Sequence, residues 1–254
     1  MIKKFTFFST ILNEERTIRI YVPKRYKVEE HSYPVLYMHD GQNVLNDEEA
    51  VGGTSLLLER YFDQHDVEII VVAIDSKTGE DRINEFCPWV NGEYSRRITG
   101  NVSSLGGKGT DYVDFIVKEL KPYIDNEFRT LKQQTYMGGI SLGGLISTYA
   151  MCRYPHIFTR VAAISSAYFR NQEEIEQLIR NTNLSTVDRF YLDCGTKELS
   201  HNEAVSREFV ISNKAIYEMV KDKISVTHFE TINNAEHSYA YFQKRIPSIC
   251  SFLL

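Results

Sequence analysis

The sequence predicts an α/β fold: a mostly parallel central sheet, an antiparallel hairpin at its N-terminal edge, and helices on both faces. Three observations lead there. Residues 67–74 form a nearly continuous β-branched run, as expected of a central parallel strand covered on both sides. Strand-like and helix-like stretches alternate along the chain, which implies right-handed crossovers between parallel strands. Residues 5–10 and 17–22 alternate in polarity on either side of Asn13-Glu14-Glu15, and Pro23 ends the second stretch, as in an edge hairpin.

The other elements follow in order. Residues 33–39 read as a buried strand running into Asp40-Gly41-Gln42-Asn43, and residues 56–62 as a short helix. Residues 76–107 show no clear period and carry Pro88 and several glycines, so they read as a long loop. A loop of that length inside a compact domain is usually functional. Residues 111–124 carry Val113, Ile116, Val117, Leu120 and Tyr123 at close to helical spacing. Residues 134–137 read as a strand and 142–151 as a helix rich in Leu, Ile and Ala. Further strands are expected at 161–165, 189–194 and 226–231, with helices at 173–179, 205–220 and 239–253.

No repeat, low-complexity tract or linker interrupts this order, so one domain over residues 1–254 is expected. Apolar residues make up 43% and charged residues 25%, the composition of a soluble globular protein. A formal net charge of −5 shows no basic excess, so nucleic acid is not expected as a partner. Cys87, Cys152, Cys194 and Cys250 are scattered without a C-x-x-C pair, and buried free thiols are expected rather than disulfides or a metal site. No stretch has the length and apolarity of a signal peptide or membrane span, so a cytoplasmic protein without membrane contact is expected. A homo-oligomer stays open.

Gly139-Ile140-Ser141-Leu142-Gly143 is the most informative segment. It follows an apolar run and opens a helical pattern, which is where a serine nucleophile sits on a sharp strand-to-helix turn. The glycines on either side are expected because a Cβ there would collide with neighbouring backbone. Serine needs a base, and of seven histidines His237 is best placed. It follows the last expected strand, in a loop at the same sheet edge. His39 ends an earlier strand and could line the site, but it precedes Ser141. The chain order of serine, acid and histidine is that of α/β-hydrolases.

Two carboxylates compete to orient His237. Glu198 lies beyond the Gly195 turn at the C-terminal end of a strand, where active-site loops of open α/β sheets gather. Asp193 lies inside the strand pattern, with its side chain expected on a sheet face. Glu198 is favoured. Oxyanion donors are expected at the Leu142 amide and in the loop after the third strand, at the Gln42 amide with Gly41 as alternative.

Together these segments resemble the esterase branch of the α/β-hydrolase superfamily that includes enterochelin esterases, feruloyl esterases and S-formylglutathione hydrolase. The resemblance is carried by 33–42, 82–89, 119–125, 139–144, 193–198 and Glu236-His237-Ser238-Tyr239. It implies Ser141 as nucleophile, His237 as base and Glu198 or Asp193 as acid. The chain departs from it in having His39-Asp40-Gly41 where members often have His-Gly, and Leu142 where some S-formylglutathione hydrolases have methionine. The 76–107 segment is expected to arch over the site, with Asp40, Gly41, Arg82 and Trp89 as substrate contacts. Phe86, Tyr94, Arg96 and Arg97 lie near Trp89 in sequence, an arrangement suited to an aromatic, catecholate or carboxylate-bearing ester. Alternatively, Trp89 anchors the loop and the arginines pair with Glu85 and Glu93.

The expected activity is therefore hydrolysis of a small-molecule carboxylic ester through an acyl-enzyme, without metal or cofactor. Acyl transfer on the same site and non-catalytic ligand binding are the rival readings.

Overall fold

The computed structural model describes residues 1–100 and 102–254. Among these, eight strands form one sheet: β1 (Ile2–Ser9), β2 (Glu14–Tyr21), β3 (Tyr33–His39), β4 (Ile70–Ile74), β5 (Thr130–Ile140), β6 (Phe158–Ile164), β7 (Arg189–Lys197) and β8 (Val226–Glu236). Their spatial order is β1-β2-β4-β3-β5-β6-β7-β8. β1 pairs antiparallel with β2, and β2 antiparallel with β4; from β4 through β8 every pairing is parallel. The fold class agrees with the sequence expectation.

Strand residues alternate between two cores, as a pleated sheet covered on both faces requires. Tyr37, Val72, Met137, Val161 and Leu192 face one core, beneath helices α2 (Gly79–Phe86), α3 (Glu93–Thr99), α4 (Gly109–Phe115), α5 (Lys121–Glu127), α6 (Leu142–Arg153), α7 (Gln172–Asn181) and α8 (Glu203–Val220). Their neighbours Met38, Val71, Tyr136, Ala162 and Tyr191 face the other. There they meet Leu58 and Phe62 of α1 (Leu58–His65), Phe242 of α9 (Tyr239–Gln243), and Ile249 and Leu253 of α10 (Ile246–Leu253). In α6 every residue except Arg153 is buried, as expected of a helix that is apolar on all sides.

Four elements differ from the sequence reading. The first hairpin turns over residues 10–13, so Glu14 and Glu15 are paired strand residues; Asn13 takes the left-handed conformation that the turn needs. The segment 76–107, expected as an irregular loop, carries α2 and α3, while its residue 101 lies outside the described residues. At eight and seven residues these helices are too short to register a period and depend on tertiary packing. The helix expected at 111–124 is longer and has a π turn at Ile116–Leu120 before α5. The closing helix divides into α9 and α10, with Pro247 in the first turn of the second.

The chain leaving β3 crosses directly over β4. A Cβ on Gly41 would lie 2.6 Å from the Ile74 carbonyl carbon and 2.7 Å from that of Ala73, both backbone atoms. Gly52, in contrast, is open on its side-chain face but has positive φ. Gly41→Ala is expected to destabilise the fold by about 1–3 kcal/mol through forced backbone displacement. Urea denaturation checks this, and a midpoint equal to wild type would contradict the close approach.

Candidate active site

β5 ends at Ile140 and α6 begins at Leu142, so Ser141 alone makes the turn. Its backbone is at φ 61° and ψ −120°, outside the regions that ordinary residues favour. Four hydrogen bonds hold it there. Its N–H donates to Ile164 O at 2.9 Å, and its carbonyl accepts from Gly144, Leu145 and Ala167 N–H at 3.1, 3.3 and 3.0 Å. Gly139 is required because a Cβ would meet the Gly143 carbonyl group at 2.5 Å. The partner glycine differs from expectation. A Cβ on Gly143 would make ordinary 3.5 Å contacts with Asp40 and His39, whereas one on Gly144 would fall 1.9 Å from Ser166 Oγ.

Ser141 opens into a cleft of about 450 Å³ that it shares with Asp40, Gln42, Ser76, Arg82, His237 and Tyr239. β8 extends to Glu236 and so delivers His237 to the rim. There the His237 ring meets Phe242 edge-on at 5.2 Å and lies 5.6 Å from Phe209. Its Nδ1 is 2.5 Å from Glu198 Oε2. Glu198 Oε1 accepts the Gly195 N–H and the Ser165 hydroxyl, each at 2.5 Å. Burial would raise the Glu198 carboxyl, but His237, Ser165 and the Gly195 amide outweigh it and hold it below its ordinary range. Gly195 allows this approach: a Cβ would lie 2.3 Å from Ala235 O and 2.9 Å from Glu198 Oε1.

Asp193 faces elsewhere. It is fully buried, and its carboxylate accepts from Arg245 Nη1 at 2.9 Å, Tyr191 Oη at 3.0 Å and Ser165 N–H at 3.2 Å. Of the two candidate carboxylates, only Glu198 contacts His237.

The Asp40-Gly41-Gln42 loop is held by charge. Arg82 of α2 grips Asp40 with Nε at 2.6 Å and Nη2 at 2.7 Å, and Ser76 Oγ donates to the same carboxylate at 2.7 Å. Burial alone would raise the Asp40 carboxyl, yet Arg82 and Ser76 keep it below the usual range. Two of the expected substrate contacts are thus spent largely on each other. Arg82 Nη1 has no hydrogen-bond partner among the described residues and stays near the cleft. Gln42 fixes its side chain to Ser76 through two 3.0 Å bonds. Its amide precedes the first bonded N–H of the turn Gly41–Asn43, and Leu142 N–H opens α6, so neither has an acceptor within its own turn.

Trp89 is not among the walls of this cleft. Its ring meets Tyr149 edge-on at 5.2 Å, and its carbonyl accepts Asn171 Nδ2 at 3.0 Å, which ties the segment to the body of the protein. Tyr94 donates to Glu208 and Arg97 stacks on Tyr94, so this expected aromatic wall is absorbed in packing. His39 is buried, with Nδ1 2.9 Å from Tyr112 Oη, and burial pushes it down to about 4, neutral at pH 7. Sequence reasoning missed Ser76, Tyr239, Ser165 and Arg245. Tyr239 follows His237 closely enough to have been considered, whereas nothing local marks the other three.

The chain matches the Putative esterase family over residues 9–253. It belongs to that family. Among curated proteins it is similar to the uncharacterized protein YbbA of Bacillus subtilis (strain 168), 26% identical across 94% of this chain and 92% of that one. Among solved structures, an IroE-like serine hydrolase from Shewanella oneidensis superposes with TM-score 0.79 at 18% identity, covering 100% of this chain and 80% of the other. The siderophore hydrolase EstA from Aspergillus nidulans gives 0.74 at 15% identity, over 98% and 94%. The enterobactin esterase FES from Shigella flexneri gives 0.71 at 16%, over 99% and 59%. These structural likenesses establish a shared α/β-hydrolase fold. No helix among the described residues is long and apolar enough to cross a membrane.

Replacing Arg82 by methionine strands the Asp40 carboxylate in a buried place, and about 3 kcal/mol of stability is expected to be lost at pH 7. The native carboxyl is depressed, so the pair's contribution is complete above the ordinary value of 3.8 and disappears as pH falls through the folded value. The gap between wild type and Arg82→Met should therefore be largest near neutrality and close below about pH 4. Denaturant titrations across pH check both the size and the sign.

Proposed function

We propose that the protein is a serine carboxylic-ester hydrolase acting as one α/β-hydrolase domain, with Ser141, His237 and Glu198 as its triad. The observation that carries this reading is the 2.5 Å contact from Glu198 Oε2 to His237 Nδ1, in a cleft that also holds Ser141 on its strained turn. Family membership supports the same class of reaction.

In this mechanism the ester carbonyl enters beside Ser141. Ser141 Oγ attacks the carbonyl carbon while His237 Nε2 takes the hydroxyl proton, and Glu198 stabilises the imidazolium that forms. The amides of Leu142 and Gln42 are the donors for the oxyanion. Collapse breaks the carbon–oxygen bond to the leaving alcohol, which receives the proton from His237. Water, deprotonated by the same imidazole, then attacks the acyl-enzyme and releases the acid, returning Ser141 to its hydroxyl form.

The cleft's size and mixed lining suit a small ester, and Arg82 Nη1 and Tyr239 are the side-chain groups placed to recognise a polar substituent. Structural neighbours named as a siderophore hydrolase and an enterobactin esterase make siderophore-type esters, with aromatic esters beside them, the first substrates to test.

A fluorophosphonate probe should label wild type at Ser141 and leave Ser141→Ala unlabelled. With p-nitrophenyl acetate, Ser141→Ala is expected to lose at least about 10⁴-fold in kcat and Glu198→Gln about 10⁴-fold. Folded Asp193→Asn should keep its turnover at pH 7 within about tenfold of wild type. Labelling that persists without Ser141, or an active Glu198→Gln beside an inactive but folded Asp193→Asn, would overturn the assignment.

A further inference from the structure

A buried cation stands behind the proposed acid. Arg245, between α9 and α10, is 4% exposed, and its Nη1 donates to Ser165 Oγ at 2.7 Å and to Asp193 Oδ1 at 2.9 Å. Ser165 Oγ lies 2.5 Å from Glu198 Oε1. The chemistry of these groups fixes the direction of each bond. A guanidinium only donates, and a serine hydroxyl has one hydrogen. With Arg245 occupying an acceptor position on Ser165 Oγ, that hydrogen goes to Glu198.

Glu198 Oε1 then accepts from Ser165 and from Gly195 N–H, and only Oε2 is left to face His237. Resting on the triad reading above, we propose that Arg245 and Ser165 are positioning residues that make Glu198 a pure acceptor, with Asp193 as the countercharge that seats Arg245. His237 must then carry its proton on Nδ1 and turn the bare Nε2 toward Ser141. The tautomer that the reaction needs is set from behind the acid rather than by the acid alone.

Arg245 Nε and Nη2 are buried without hydrogen-bond partners among the described residues, and the guanidinium carbon lies 5.1 Å from the Phe242 ring centroid. A buried ion pair is often no more stabilising than apolar residues of similar volume. This one touches the acid through Ser165 and packs on the ring that meets His237 edge-on.

The readout is the protonation midpoint of the Glu198–His237 pair. Around it lie Cys194 and Gly195 N–H from β7, Ser165 after β6, and Arg245 with the Phe242 ring from the C-terminal helices, with Asp193 one step further back on Arg245. Phe209 of α8, Glu236 beside His237, and the Asp40–Arg82 pair with Tyr239 across the cleft complete the surroundings. Burial pushes the Cys194 thiol far up, so it stays neutral. Removing the Ser165 hydroxyl or the Arg245 charge makes the potential at the pair more negative and raises its midpoint. Removing the Asp193 charge makes it more positive and lowers it.

The experiment is an NMR titration of His237 in histidine-labelled protein, assigned with His237→Ala, beside the pH profile of kcat/KM for p-nitrophenyl acetate. Ser165→Ala should move both midpoints up by about 1 pH unit. Folded Asp193→Asn should move them down, and Arg245→Lys should stay closer to wild type than Arg245→Met. If Arg245→Met does not fold, Ser165→Ala and Arg245→Lys still decide. An unmoved midpoint in Ser165→Ala, or shifts of the same sign in Ser165→Ala and Asp193→Asn, would overturn the proposal. The NMR midpoint needs no turnover, so failure of the hydrolase reading would show separately as absent Ser141-dependent fluorophosphonate labelling.

Discussion

The close approach of two backbone segments at Gly139 and Gly143 is the constraint on which the site depends. It leaves one residue to turn the chain from β5 into α6, and that residue is Ser141 at φ 61° and ψ −120°. A non-glycine residue in such a region carries about 1–3 kcal/mol of strain and persists only when its surroundings over-determine it. Here they do. Both the amide and the carbonyl of Ser141 are bonded, the first to β6 and the second to the α6 first turn and Ala167. The same largely buried helix that enforces the turn presents the Leu142 amide, which has no acceptor within its own turn, beside the serine.

Around this turn, charge is buried in pairs that fix geometry. Asp40 and Arg82 bind the third-strand loop to α2, so a loop and a short helix with little intrinsic preference are held against each other by a bidentate fork. On the other side of Ser141, Asp193 and Arg245 pair at the β7 end. Each pair excludes an alternative. An unpaired Asp40 would free the Gln42 loop, and an unpaired Asp193 would offer a second anion near the His237–Glu198 pair.

The sheet, its order of elements and the serine turn were legible because each rests on a local pattern: the β-branched run of β4, the alternation of β1 and β2, and the glycines around Ser141. Glu198 was legible for a related reason. Gly195 marks the end of the strand pattern, and an acid just past it falls at the edge where the other groups gather. Arg245 and Ser165 were not legible. Lys244-Arg245 looks like any basic pair within the expected helix 239–253, and Ser165 looks like the last residue of a strand. Their roles arise from contacts between segments far apart in the chain. Trp89 stayed open between ligand contact and anchor for the same reason, since an aromatic on a long segment reads alike whether it faces a ligand or Tyr149.

The end of β6 brings these threads together. Ile164 O receives the Ser141 amide, Ser165 Oγ reaches Glu198, and Ala167 N–H binds the Ser141 carbonyl. Ser165 itself takes a positive φ of 43°, so the chain reverses there instead of continuing the strand. Ser141 and Glu198 are thereby referenced to one four-residue segment rather than to each other across the cleft. A displacement of β6 would carry both in the same direction and preserve their spacing. His237, delivered by the outermost strand, is held to that frame by its contact with Glu198 and by the Phe209 and Phe242 rings.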